Sequence, residues 1–369
     1  MRGLLWLLGA GALIGGGGYL MTAGDAGQRA PRTHVAFPRE ASATQQAKEA
    51  GRRTLAPKTV AATQDQAPVA ARAVAHDPLL VALDPVNESA LVFEAGAILH
   101  AKVGQAFLGC MGADERARVN RKIEGADGKR WLDVADRVAF SKSTDGHGLF
   151  VLEGELDKVD FSKVVAAEIH RRDSAVAGRD RVGADATTHD HDGTTVYEIT
   201  REEGQPMFAA VWQKSLVLAS DDGATVERAL DRLDAGGAGK LAIDESEAYG
   251  EIYGVLGPAA IARVVPEDLA DRARDVTTRA TVHADASDDV LLVADVEGAD
   301  AKKIEDLGKS IGAAMAVGRL QAKNEGRDDM VQLLDASRVR PYGEGRLRAE
   351  VAIPTEVLTA HMKGCRKEP

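Results

Sequence analysis

RVAFSKSTDGHGLFVLEGELDKVDFSKVVAAEI, residues Arg137–Ile169, aligns without a gap on RATVHADASDDVLLVADVEGADAKKIEDLGKSI, residues Arg279–Ile311. Leu149–Val151 falls on Leu291–Val293, Glu155 on Glu297 and Ile169 on Ile311. Both copies read as strand, polar turn, strand, acidic turn and helix. In the first copy the strands are expected at Val138–Ser141 and Leu149–Leu156, with Asp160 as the N-cap of a helix over Phe161–Arg172. In the second they are expected at Thr277–Ala284 and Val290–Val296, followed by a helix over Ala299–Leu320.

Outward from the first copy, Leu79–Leu83 is an apolar strand or helix start, and Glu88–Ile123 reads mostly as helix. The tract THDHDG, Thr188–Gly193, reads as a loop. Strands are expected at Thr195–Thr200, Met207–Gln213 and Ser215–Ser220, then a helix over Ala224–Leu233 begun by Asp221 or Asp222. Outward from the second copy, Tyr249–Ile261 has no clear period. Pro266 opens a helix over Glu267–Asp275, and Asp328–Leu334 is a further short helix. A hairpin joins Arg338–Tyr342 to Arg346–Ile353, and Pro354 starts a last helix, Thr355–Lys363. The predicted class is α+β: two duplicated two-layer modules, each an antiparallel sheet with strand-strand-helix repeats and helices across one face. The glycine-rich stretch Asp234–Lys240 separates them, so the first module spans 77–235 and the second 236–369.

Residues 1–76 read differently. Gly3–Gly24 holds no charged residue. Residues 1–26 therefore form a signal peptide, cleaved near Ala23 or Ala26, or an uncleaved anchor, since about 20 apolar residues span a bilayer. Residues 27–76, rich in Ala, Thr, Gln, Pro and Arg, bury too little apolar surface to offset ordering entropy and read as a disordered basic spacer. Within it, residues 29–75 carry eight Lys/Arg against three Asp/Glu, so of the chain's net −11 the body from His76 onward carries −16. An acidic body lacks the basic face that a nucleic acid demands.

The densest group of potential metal ligands is His189, Asp190, His191 and Asp192, with His170 upstream, imidazole and carboxylate being ligands for a divalent ion. Glu153 and Glu155 share a strand face, where paired carboxylates do acid–base work or simply meet solvent. Ser215 and Ser220 have no histidine placed to activate them. The chain has no GxSxG, Walker loop, HExxH, or GxGxxG between a strand and a helix. No cofactor is implied. Cys110 and Cys365 sit in no metal-ligand spacing; in an oxidising compartment they would close a long loop. The expected function is that of an exported or membrane-anchored envelope protein, non-enzymatic, binding an unknown protein or envelope component or acting structurally. The alternative is a metal-dependent extracytoplasmic enzyme built on His189–Asp192.

Overall fold

The computed structural model describes residues 76–101, 103–105, 108, 130–157, 159–166, 186–200, 206–237, 239–265, 267–286 and 290–353. It is α+β, mixing helix with antiparallel sheet. The described residues fall into two compact units, one from those in 76–96 and 130–249, the other from those in 97–108 and 250–353.

The first unit contains α1 (Pro78–Ala82), β1 (Asn87–Phe93), α3 (Trp131–Val134), β2 (Ala135–Ser143), β3 (Gly148–Gly154) and helical residues 161–166 (α4). The helix Ala95–His100 is α2. The unit continues through β4 (Ala186–His191), β5 (Thr194–Thr200), β6 (Pro206–Trp212), β7 (Leu216–Ser220) and α5 (Gly223–Asp234). Its strands pair antiparallel in the order β1-β2-β3-β7-β6-β5-β4. Register places Val138, Leu152, Val217 and Val211 side by side, and Ala139, Val151, Leu218 and Ala210 side by side. Because side chains alternate across a strand, these two rows lie on opposite faces.

Both faces are covered, which corrects the expectation of helices on one face only. Phe161 and Val164 of α4 pack on the cluster containing Val138, Leu152 and Val217. The opposite face meets α5, whose Val226, Ala229, Leu230 and Leu233 are buried. There Trp212 Nε1 donates to Asp234 Oδ1 at 3.0 Å. The cause is visible along the strands: Val138–Ala139, Val151–Leu152 and Val217–Leu218 are consecutive buried residues, the pattern of a sheet packed on both sides. Asp222 caps α5 by accepting from the Thr225 backbone N–H at 2.9 Å. Asp77 caps α1 in the same way, with Pro78 at the first helical position.

Asp77 also receives the guanidinium of Arg137, whose Nη2 donates to Asp77 Oδ1 at 2.9 Å while its Nε donates to Glu153. Burial disfavours the Arg137 charge, but Asp77 and Glu153 outweigh it and hold the guanidinium well above its ordinary pKa. This fork ties α1 to the β2–β3 hairpin.

The second unit contains β8 (Ile252–Leu256), α6 (Pro258–Ala262), α7 (Glu267–Val276), β9 (Arg279–Asp285), β10 (Val290–Glu297), α8 (Ala301–Asn324), α9 (Asp328–Asp335), β11 (Ser337–Pro341) and β12 (Arg346–Ile353). Its strands run antiparallel in the order β8-β9-β10-β12-β11. Ala280, Val296 and Leu347 form one row, covered by Ile261 of α6, Ala273 of α7, and Ile304 and Leu307 of α8. Asp300 caps α8 by accepting from the Lys303 backbone N–H. The order matches β1-β2-β3-β7-β6 strand for strand; the β4–β5 hairpin is the addition in the first unit.

One reading of local structure is corrected and one unassigned stretch is resolved. Asn87–Phe93 is strand rather than part of a helix running from Glu88, and helix begins at Ala95. Pairing with β2 decides it: Ala90, Val92 and Phe93 are buried along that register. Tyr249–Ile261 resolves into the buried strand β8 and the short helix α6. No helix among the described residues is long and apolar enough to cross a membrane. The Gly3–Gly24 run, the basic spacer, His170, Cys110, Cys365 and the segment from Pro354 lie outside the described residues.

Candidate metal centre

The tract THDHDG is not a loop but the end of β4 and a two-residue turn into β5. Asp192 and Gly193 have φ of 48° and 87°. Positive φ at both central residues is what the tight type I′ hairpin requires, and Asp-Gly is among the pairs that adopt it most readily. The Asp190 carboxylate accepts from the Gly193 backbone N–H at 3.1 Å. His191 pairs with Thr194, Asp190 with Thr195 and His189 with Val196.

Val196 pairs with Ala210, whose face of the sheet is the one under α5. His189 and His191 therefore both face α5, and Asp190 faces away. Helix α5 buries Val226, Ala229, Leu230 and Leu233, which leaves Glu227 and Asp231, four apart, on a shared outer stripe. Two rungs result. His189 Nε2 lies 3.0 Å from Glu227 Oε1, and His191 Nε2 lies 2.8 Å from Asp231 Oδ1. The spacings match because two strand residues rise about 6.7 Å and four helical residues about 6 Å.

The His191 side chain is 22% exposed against 44% for His189, while Asp231 is 58% exposed against 36% for Glu227. The hydrogen bond with Asp231 holds the His191 imidazole above its ordinary pKa; burial opposes this, and the charges of Asp231, Glu227 and Asp192 add to it. Ligand-type atoms of His191, Asp192 and Asp231 all lie within 4.8 Å of one another. Of the four residues singled out in the sequence, the structure thus gathers His191 and Asp192 with a new third donor, Asp231. His189 is engaged by Glu227, and Asp190 is spent on the turn. Glu227 and Asp231 carried only one signal in the sequence, an acidic i, i+4 pair on the polar side of a predicted helix.

Glu155 lies past the end of β3, so it does not share a strand face with Glu153, and the remaining candidates are held structurally. Glu153 accepts from Arg137. Ser220 Oγ donates to the Gly148 carbonyl at 2.7 Å, and Ser215 Oγ to that of Trp212 at 3.5 Å. A shallow recess of about 250 Å³ lies beside the last turn of α5, lined by Val81, Leu83, Pro85, Asp231, Arg232 and Lys240 among others. Arg232 donates to the carbonyls of Val81 and Ala82 at 3.3 and 2.6 Å, and burial lowers its pKa.

No protein-family profile and no curated protein matches the chain. One solved structure, described as crystal form I of TP0453, matches with a TM-score of 0.43 and 14% identity, over 79% of this chain and 98% of that one. A likeness that loose carries no argument about fold or function.

Proposed function

We propose that the chain is an exported or membrane-anchored envelope protein whose two α+β units bind a partner or act structurally, without catalysis. The observation that carries the reading is the recurrence of one strand order, three antiparallel strands followed by a helical excursion and an added hairpin, in both units. Together with the gap-free internal alignment, it supports duplication of a single module. A duplicated module behind a charge-free N-terminal run and a basic spacer has the layout of a tethered binding or scaffolding body. Glu153, Arg137, Ser215 and Ser220 are used in internal hydrogen bonds, so a catalytic reading draws nothing from them.

The test is protease access in intact cells. The expected outcome is digestion of the body by an added protease once any outer barrier is opened, with the cytoplasmic membrane still sealed. Protection of the body until that membrane is lysed would refute it. A second reading, a metal-dependent extracytoplasmic enzyme, is favoured by the meeting of His191, Asp192 and Asp231. It predicts metal-dependent turnover of a substrate that His191→Ala abolishes.

A further inference from the structure

We infer that His191, Asp192 and Asp231 form a binding site for one divalent transition-metal ion of the zinc class, and that the ion clamps the β4–β5 hairpin to α5. The inference does not depend on the envelope reading and requires no catalysis.

Three observations carry it. First, the donors come from two different elements and a turn, brought together by the register of β4 with β5 and by the packed face of α5. An ion there joins parts of the chain that the sheet alone does not join. Second, the donor atoms lie within 4.8 Å of one another. Tetrahedral bonds of about 2.0–2.1 Å separate two ligand atoms by roughly 3.3 Å. The present His191–Asp231 distance of 2.8 Å is that of a hydrogen bond. Opening it by about 0.5 Å lets an ion take the place of the shared proton. Third, the backbone of Asp192 is set by the turn. Its positive φ belongs to the two-residue turn closed by the His191–Thr194 pair, so it is carried by a defined turn rather than a free loop.

One imidazole nitrogen and two carboxylates suit zinc, nickel or copper. Calcium and magnesium favour shells made wholly of oxygen, whereas the His191 imidazole nitrogen favours the zinc class. The exposed side of His191 leaves the remaining coordination positions to water. The His189–Glu227 rung lies alongside and pins the same strand without belonging to the three-residue group.

The experiment uses the full chain, free of any affinity tag and stripped of metal with a chelator. Zinc is titrated calorimetrically, and cobalt is added separately to read its visible absorption. The expected result is saturable one-site zinc binding below about 100 µM and a cobalt spectrum of the low-coordinate type. Calcium at the same concentration gives neither. His191→Ala and Asp231→Asn each weaken zinc binding by at least about tenfold, a loss that even outer-shell partners can produce. Asp192→Asn weakens it comparably while keeping a residue that tolerates positive φ, so its effect is not one of a broken turn. Asp190→Asn leaves the affinity unchanged, and His189→Gln has a smaller effect than His191→Ala. Circular dichroism checks that each variant is folded. The inference is overturned if zinc does not bind in this range, or if binding survives both His191→Ala and Asp192→Asn.

Discussion

Replacing Arg137 by methionine should cost the first unit about 2–4 kcal/mol. The guanidinium is 17% exposed and the carboxylates of Asp77 and Glu153 are 25% and 24% exposed. Removing one partner of a fully buried ion pair costs about 3–5 kcal/mol, because the group left behind keeps its desolvation penalty and loses its compensation. Two quarter-exposed carboxylates recover some water, which brings the figure down. Asp77 is also the cap of α1, so loss of the fork loosens the helix that buries Leu79, Leu80 and Val81. The assay is urea unfolding of the full chain followed by tryptophan fluorescence. The tryptophans are Trp6, Trp131 and Trp212, none of them in residues 250–369, so the body's signal reports the first unit. With a urea slope of about 2 kcal/mol/M, the midpoint should fall by about 1–2 M. Arg137→Lys should fall by less, because its ammonium still compensates the carboxylates, but it should still fall, because a point charge cannot donate to both in the same fork. A midpoint shift for Arg137→Met below about 0.3 M would place the fork among exposed surface pairs and refute the reasoning.

Gly193→Ala should destabilise the first unit by about 1–2 kcal/mol, the cost of placing a side chain in left-handed backbone, since a Cβ built there meets nothing within 4 Å. Urea midpoints check it, with Asp192→Asn as the near-neutral control in the absence of metal. Asp222 should give acid sensitivity. The hydroxyl of Thr225 and then its backbone N–H lower the Asp222 pKa from 3.8, burial opposing. A carboxylate with a depressed folded pKa contributes stability that is present above the unfolded value and is lost as pH falls through the folded one. Urea midpoints between about pH 5 and 2 should therefore fall more steeply in the wild type than in Asp222→Asn, which keeps a capping side chain without the titration.

The parts of the fold legible in the sequence were those decided locally. The hairpins at β2–β3, β9–β10 and β11–β12 set apolar strand residues on either side of turn formers, and α5 begins at an aspartate cap. The misread parts were decided by partners distant in sequence. Leu91, Ala95, Ile98 and Leu99 fit a helical period, yet pairing with β2 makes the first of them strand. β4 has no apolar period at all, because it is an exposed edge strand; its sole local signal was the Asp-Gly turn. The candidate site was half legible for the same reason. His191 and Asp192 stood out as ligand types, but Asp231 joins them only once the hairpin folds back over α5.

The account rests most heavily on the chain being an exported or membrane-anchored protein, and the intact mass and N-terminal sequence of the native protein test that directly. The predicted result is either a mature chain beginning near Gly27 or a chain beginning at Met1 that is recovered only with detergent. A chain beginning at Met1 and recovered from the soluble cytosol without detergent would contradict it.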